Sequence, residues 1–161
     1  MKVAIVMGSD SDFPIVERCI EVLKKFDVEV EARVISAHRT PHLAIEFAMK
    51  AEENGIELLI GAAGKAAHLP GVLAAVTPLP VIGIPIKSTT LDGLDSLLSI
   101  VQMPSGIPVA TVAVDGAENA GLLAVQMLSI KYPVLREKMK QYKKDMADKV
   151  MQKDSSIQTR Y

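Results

Sequence analysis

Residues 28–41, VEVEARVISAHRTP, carry the clearest structural signal in the chain. Apolar residues alternate there with two glutamates and an arginine, which is the two-residue period of a half-buried strand. The strand is expected to stop at Ser36, and Pro41 suits the first turn of a following helix, where its missing N–H is not needed. His38 and Arg39 therefore lie on a strand-to-helix loop. Ligands of open α/β sheets bind at this edge, where Arg39 suits an anion and His38 suits proton transfer.

Strand and helix signals alternate along the rest of the chain. The predicted strands are 2–7, 28–35, 58–62, 79–84 and 108–114, and the predicted helices are 13–26, 41–54, 67–76, 92–102, 117–130 and one that begins at Pro133. This order favours a parallel sheet covered by helices on both faces. The charged, alternating second strand suits an edge, whereas the other four are nearly continuous apolar runs, as expected of strands buried on both faces. We therefore predict a flavodoxin-like, three-layer αβα fold with strand order 2-1-3-4-5 and an added C-terminal helix.

The length and the composition limit the possible classes of protein. A chain of 161 residues with a net charge of −1 has room for one domain, predicted over 1–150, and has no basic surface typical of nucleic-acid binding. The single cysteine, Cys19, lies among apolar residues and is expected in the core of a protein from a reducing compartment. No signal-peptide pattern or membrane-length apolar run is found, which predicts a soluble, cytoplasmic protein without membrane partners.

The C-terminal segment has a different character. Leu135, Met139, Tyr142 and Met146 recur every three or four positions among many charged residues of the predicted helix 131–150. Such a narrow apolar stripe could pack on the chain's own sheet or on a neighbouring subunit. The polar residues 151–161 are expected to form a frayed tail.

Two further loops follow strands. Gly8, Ser9, Ser11 and Asp12 follow the first strand, where hydroxyls and free amides can hold a phosphate, while Asp12 suits ribose hydroxyls. The alternative is that Ser11 or Asp12 simply caps the next helix. The loop matches neither a Walker A sequence nor a dinucleotide fingerprint, so ATP and NAD are not indicated.

The loop after the third strand is rich in glycine and alanine. Its residues Gly64, Lys65, Ala66, Ala67, His68 and Leu69 bring backbone N–H groups close to a ligand and could bind a carboxylate. The alternatives are tight strand–helix packing for the loop and a core or interface position for His68. His42 is expected on the surface. With no metal-ligand spacing or Ser-His-Asp order visible, and no cofactor expected, the chemistry is assigned to proton transfer, positioning and backbone electrostatics.

Four motifs then point to a family. In chain order they are Gly-Ser-x-Ser-Asp from Gly8, Ser-Ala-His-Arg-Thr-Pro from Ser36, Ala-Ala-His-Leu-Pro-Gly from Ala66, and Asp-Ser-Leu-Leu-Ser-Ile-Val-Gln-Met-Pro from Asp95. The chain resembles the bacterial 5-(carboxyamino)imidazole ribonucleotide mutases of purine biosynthesis over about residues 3–130. The resemblance implies an isomerase that moves a carboxylate from the exocyclic nitrogen to carbon 4 of aminoimidazole ribonucleotide (AIR) through trapped carbon dioxide. It also implies a homo-octamer that needs no ATP, metal or cofactor.

The resemblance assigns roles by matching position. Ser9, Ser11, Ser36 and Arg39 would grip the 5′-phosphate, Asp12 the ribose, and His38 would shuttle the proton, while the loop Gly64–His68 would hold the migrating carboxylate or carbon dioxide. The chain departs from the family pattern at Lys65, where glycine is commoner, and at the turn 114–119, which is shorter than usual. The alternatives are a direct AIR carboxylase that uses free carbon dioxide, and a non-catalytic nucleotide-binding module, which the scarcity of aromatic residues argues against for flavin.

Overall fold

The five strands form one parallel sheet in the computed structural model, which describes residues 1–160. The strands are β1 (Lys2–Met7), β2 (Glu29–Val34), β3 (Leu58–Gly64), β4 (Val81–Ile86) and β5 (Ala110–Thr111). All neighbouring strands pair in parallel, in the order β2-β1-β3-β4-β5. The flavodoxin-like order predicted from the alternation of apolar and charged residues is confirmed.

Six helices connect and follow the strands. They are α1 (Phe13–Lys25), α2 (Pro41–Met49), α3 (Leu69–Ala74), α4 (Leu94–Val101), α5 (Ala117–Leu128) and α6 (Pro133–Gln158), and a 3₁₀ turn (Asp10–Asp12) precedes α1. Pro41 lies in the first turn of α2, as its fixed φ predicts. The C-terminal ends of two helices differ from the predicted bounds. The helix α2 stops at Met49 and turns lead to Gly55, which has a φ of 73°, whereas α6 continues past residue 150 to Gln158.

The two edge strands are less buried than the sequence indicates. In β2 the alternation predicts a buried apolar face, but Ala32 and Val34 are exposed, because β2 has a neighbour on only one side. The strand β5 contains only two paired residues, both partly buried, instead of the predicted seven-residue apolar run 108–114. The three central strands, in contrast, are almost entirely buried, as continuous apolar runs predict.

The chain divides into two compact units, Met1–Ala124 and Val125–Tyr161. The first contains the whole sheet and α1 to α4. In the second, Leu135 and Met139 of the expected apolar stripe are buried, whereas Met146 is exposed together with Val150. Within residues 1–160, no helix has both the length and the apolar character needed to cross a membrane.

The core of the first unit confirms the expected position of Cys19. Its side chain is fully buried, and burial raises the pKa of the thiol to about 12, so the group stays protonated and unreactive. A separate buried cluster contains Ala67 and Leu69 together with Leu73 of α3 and Leu59 of β3. This cluster joins α3, and the loop that leads into it, to the sheet.

Two paired glycines allow α3 to lie close to the sheet. Gly61 of β3 and Gly83 of β4 are register partners. A Cβ atom added at Gly61 would stand 3.0 Å from Cα of Pro70, and one added at Gly83 would stand 3.5 Å from Cβ of Pro70 and 2.4 Å from Cγ2 of Ile100. Because Pro70 follows His68 by two residues, this close packing also fixes the end of the loop at the carboxyl edge.

We expect Gly83→Ala and Gly61→Ala to lower the free energy of unfolding by about 1–3 kcal/mol, the usual cost of overpacking. Gly83→Ala should cost more, because its Cβ meets a buried side chain at the shorter distance. Gly71→Ala is the matched control, since its Cβ meets only the flexible end of Met103 and alanine favours helix. Urea denaturation measures all three, and equal losses in the three variants would contradict the proposed packing.

Candidate functional site

One cleft of about 610 Å³ lies at the carboxyl edge of the sheet, between the loops that follow β1, β2, β3 and β4. Twelve of the thirteen predicted site residues line it, namely Gly8, Ser9, Ser11, Asp12, Ser36, His38, Arg39, Gly64, Lys65, Ala66, His68 and Leu69. The exception is Ala67, whose side chain is buried in the core cluster. Three separate stretches of sequence are thus brought to one place.

The two histidines of the cleft are in direct contact. Nε2 of His38 lies 2.8 Å from Nδ1 of His68, and the two rings meet edge to face. Such a hydrogen bond needs a proton on one of the facing nitrogens and a lone pair on the other. Both side chains are exposed to the cleft, so His68 is not the core histidine considered as an alternative. The contact fixes the orientation of the His38 ring and joins the β2 loop to the β3 loop.

The β2 loop is held by its own polar groups. The backbone N–H of Arg39 donates to Oγ of Ser36 at 3.1 Å, and the backbone N–H of Ser36 donates to Oγ1 of Thr40 at 3.0 Å. Arg39 also reaches across to the first loop, where Nη2 donates to the carbonyl oxygen of Gly8 at 2.8 Å. The guanidinium is thereby placed beside the serines of the β1 loop.

The β1 loop presents two neighbouring hydroxyl groups. Oγ of Ser11 donates to Oγ of Ser9 at 2.9 Å, and Oγ of Ser9 also accepts from the backbone N–H of Ser11. The residue that caps the turn before α1 is therefore Ser9, whereas Asp12 makes no side-chain capping bond. The alternative in which Ser11 or Asp12 caps α1 through its side chain is therefore not supported. With Arg39 beside them, the two hydroxyls form the kind of polar group set that binds a phosphate.

Asp12 is the one acidic side chain that lines the cleft within residues 1–160. Burial raises the pKa of its carboxyl, and the hydrogen bond from the Ser11 hydroxyl and the charge of Arg39 offset this only in part. A buried carboxylate is costly unless it is fully paired. The Asp12 carboxylate, once charged, therefore lies in a position at the cleft where burial destabilises it.

Sequence reasoning selected no residue from the loop that follows β4, although Lys87, Ser88 and Thr89 line the cleft. The Ser88 hydroxyl donates to the Asp95 carboxylate at 2.8 Å. Nζ of Lys87 lies 2.7 Å from Oδ1 of Asp92, which raises the pKa of the lysine. The sequence does contain a signal for this loop. It follows a buried strand, as the other three loops do, and therefore lies at the same edge of the sheet.

The turn 114–119 also supports this loop. Oδ1 of Asp115 accepts from the backbone N–H of Lys87 at 2.9 Å, and the N–H of Asp115 donates to the carbonyl oxygen of Pro85. Asp115 has a φ of 56°, which places its carboxylate against the β4 loop. The turn therefore acts on the cleft through Lys87.

Comparison with known proteins gives consistent results. A family model described as AIR carboxylase matches residues 2–149. The chain is 64% identical over 145 residues to a protein of Pyrococcus abyssi named N5-carboxyaminoimidazole ribonucleotide mutase, covering 90% of this chain and 83% of that one. A protein of the same name from Pyrococcus horikoshii is 60% identical, with 97% and 88% covered. The crystal structure of Treponema denticola PurE matches with a TM-score of 0.88 and 31% identity over 96% of this chain and 97% of that one.

The raised pKa of Asp12 predicts how Asp12→Asn changes stability with pH. Below the ordinary value of 3.8 the carboxyl is neutral in both the folded and the unfolded state, so its burial costs little. As the pH rises from 3.8 through the folded-state pKa, the carboxyl loses its proton and becomes charged in the unfolded state first, which favours unfolding. We therefore expect Asp12→Asn to gain free energy of unfolding, relative to the unsubstituted protein, between acid and neutral pH. Chemical denaturation at several pH values measures this.

Glu46 supplies a control, because its pKa is shifted in the opposite direction to that of Asp12. Lys50, with Nζ 2.7 Å away, lowers the pKa of the exposed Glu46 carboxyl. The stabilisation from Glu46 is present at neutral pH and is lost on acidification, so Glu46→Gln should lose stability relative to the unsubstituted protein over the same range. Curves of the same sign for both variants would refute the assignment for Asp12.

Proposed function

Because the chain belongs to the AIR carboxylase family, we propose that it is a 5-(carboxyamino)imidazole ribonucleotide mutase of purine biosynthesis. The reaction moves a carboxylate from the exocyclic nitrogen of AIR to carbon 4. The names of the two Pyrococcus relatives support the mutase in particular. The observation that carries the proposal is the contact between His38 and His68, next to Arg39 in one cleft.

The His38 imidazole completes the proton balance of this isomerisation. When the N–C bond of the carbamate breaks and carbon dioxide leaves, the nitrogen takes a proton from the His38 imidazolium. Carbon 4 then attacks carbon dioxide, a C–C bond forms, and the hydrogen of carbon 4 passes as a proton to the neutral imidazole. The proton given is the proton recovered, so the cycle needs no further reactant. His68 acts by holding the His38 ring through its 2.8 Å hydrogen bond.

The remaining groups divide between the two ends of the substrate. Ser9, Ser11, Ser36 and Arg39 hold the 5′-phosphate, which fits the hydroxyl pair and the guanidinium placed beside it. Asp12 accepts hydrogen bonds from the ribose hydroxyls. The loop Gly64–Leu69 encloses the carboxylate and the transient carbon dioxide, whose escape a small, dry pocket prevents.

Three further properties belong to the same proposal, two from the family resemblance and the cytoplasmic location from the sequence itself. The enzyme works without a cofactor, which activity after exhaustive treatment with a chelator tests. It is cytoplasmic, in agreement with a lone, buried cysteine, and cell fractionation tests this. Its copies form an octamer, in which α6 contributes apolar contacts through exposed side chains such as Met146 and Val150.

Light scattering should report about eight chains per particle if the assembly is an octamer. Ending the chain at Lys131 removes α6 and is expected to break or weaken the assembly and to lower activity. The paired change Met146→Lys with Val150→Lys is a milder test, because both side chains are exposed and the substitutions leave the buried Leu135 in place. A fully active monomer would exclude the octamer.

His38→Asn is expected to lose about 10²–10⁴-fold in turnover, the usual contribution of general acid–base catalysis, and to keep ribonucleotide affinity. Arg39→Ala is expected chiefly to weaken binding, since it removes a charge-assisted contact to the phosphate. His42→Asn is the matched control, because His42 is exposed on α2 and does not line the cleft. Steady-state kinetics and calorimetry separate the two effects, and near-normal turnover of His38→Asn would remove His38 from the mechanism.

The second candidate is a direct AIR carboxylase, which the description of the matching family model favours. The two reactions differ in the origin of the carboxyl carbon. A mutase should retain most of an isotopically labelled carboxylate when unlabelled bicarbonate is present. Extensive exchange with the medium, together with efficient use of AIR and bicarbonate, would instead establish the carboxylase.

A further inference from the structure

Lys65 has an unusual backbone for a lysine. It is the one charged residue in the loop Gly61–Ala67, and its φ of 56° lies in the left-handed region. That region favours glycine and, to a lesser degree, asparagine and aspartate, because a Cβ atom crowds the backbone there. A lysine at this position is therefore not explained by the conformation of the loop, and its side chain lines the cleft.

The three cations of the cleft differ in what already surrounds them. Nζ of Lys87 lies 2.7 Å from the carboxylate of Asp92, and Nη2 of Arg39 donates to the carbonyl oxygen of Gly8. Within residues 1–160, in contrast, no carboxylate lies within 4.0 Å of the Lys65 ammonium. Of the two lysines of the cleft, Lys65 is thus the one whose charge no carboxylate of residues 1–160 matches.

The loop that carries Lys65 also carries the reacting end of the site. His68, three residues later, is hydrogen-bonded to His38, whereas the groups suited to phosphate lie on the β1 and β2 loops. Although Arg39 follows His38 in sequence, its guanidinium reaches to the β1 loop, so Lys65 is the cleft cation carried by the same loop as His68.

We propose that Lys65 binds the carboxylate that the reaction moves, and so distinguishes carboxylated ribonucleotides from AIR. The proposal rests on the proposed function. Carbon dioxide is neutral, so an ammonium group stabilises the two carboxylated forms relative to the open intermediate of AIR and carbon dioxide. Lys65 thereby lowers the fraction of time in which carbon dioxide can leave the cleft.

The test compares two ligands that differ by one carboxylate. Calorimetry measures the affinity of AIR and of 4-carboxy-5-aminoimidazole ribonucleotide for the full-length protein. Lys65→Asn removes the charge but tolerates the left-handed backbone, and Lys65→Arg keeps the charge. We expect Lys65→Asn to weaken binding of the carboxylated ligand about 10-fold, the effect of losing one partly exposed, charge-assisted hydrogen bond, and to leave AIR affinity unchanged. Lys65→Arg should restore most of the preference.

The other outcomes overturn the proposal in distinguishable ways. Equal weakening of both ligands would place Lys65 at the phosphate or in a structural role, and unchanged binding of both would place its side chain in solvent. Either result leaves the proposed function standing, provided that the unsubstituted protein binds both ribonucleotides. If the unsubstituted protein binds neither, the proposed function fails, and the assignment of Lys65 fails with it.

Discussion

Parallel pairing of the strands is the constraint on which the rest of the molecule depends. Because every neighbouring pair is parallel, the segments that follow β1, β2, β3 and β4 all leave the sheet at the same edge. Backbone hydrogen bonds continue past the strand ends, from Gly8 to Ala62 and from Ile35 to Met7, and hold the first loops against that edge. Residues far apart in sequence therefore meet at this edge even without a direct bond between their loops. The contact between the two histidines is an additional link between loops that the sheet has already brought together.

The distance between the two histidines depends on how α3 packs against the sheet. The loop with His68 is anchored where Ala67 and Leu69 enter the core, and α3 can approach the strands because Gly61 and Gly83 have no side chain at the crossing point. Because Pro70 lies two residues after His68, the packing of α3 at these glycines sets the position of His68 relative to His38. Two glycines distant from the cleft thus help to position one of the two histidines that are in contact.

The sequence correctly predicted the elements that depend on the local pattern of apolar residues. It predicted the edge strands less well, because their length and burial depend on neighbouring strands. Continuous apolar runs identified the central strands, and the loop at His38 was placed correctly from Ser36 and Pro41. The exposure of Val34 and the two-residue length of β5 depend on having a neighbour on only one side of each edge strand, which periodicity does not encode. The continuation of α6 to Gln158 shows that polar residues can extend a helix without an apolar stripe.

The site was predicted in a similar way. Residue types that suit a chemistry, at the ends of strands, identified twelve lining residues. The contact between His38 and His68 was not predicted, because they are 30 positions apart and their distance depends on how α3 packs. The role of Asp115 was also missed, since a turn residue that accepts from the N–H of Lys87 has no signature in the sequence other than its tolerance of a positive φ.

Several features of the cleft are unfavourable for the protein alone and favourable only with an occupant. Asp12 keeps a carboxylate where burial raises its pKa, and Lys65 holds a side chain on a left-handed backbone with no protein carboxylate nearby. The buried carboxylate and the left-handed lysine each cost free energy of folding, and neither is needed by the sheet or by the helices. Hydroxyl groups near Asp12 would offset the burial of its carboxylate, whereas a negative charge near the exposed Lys65 would give its ammonium group a partner without changing its backbone. In the proposed function the two residues meet different parts of one ligand, Asp12 the ribose and Lys65 the carboxylate.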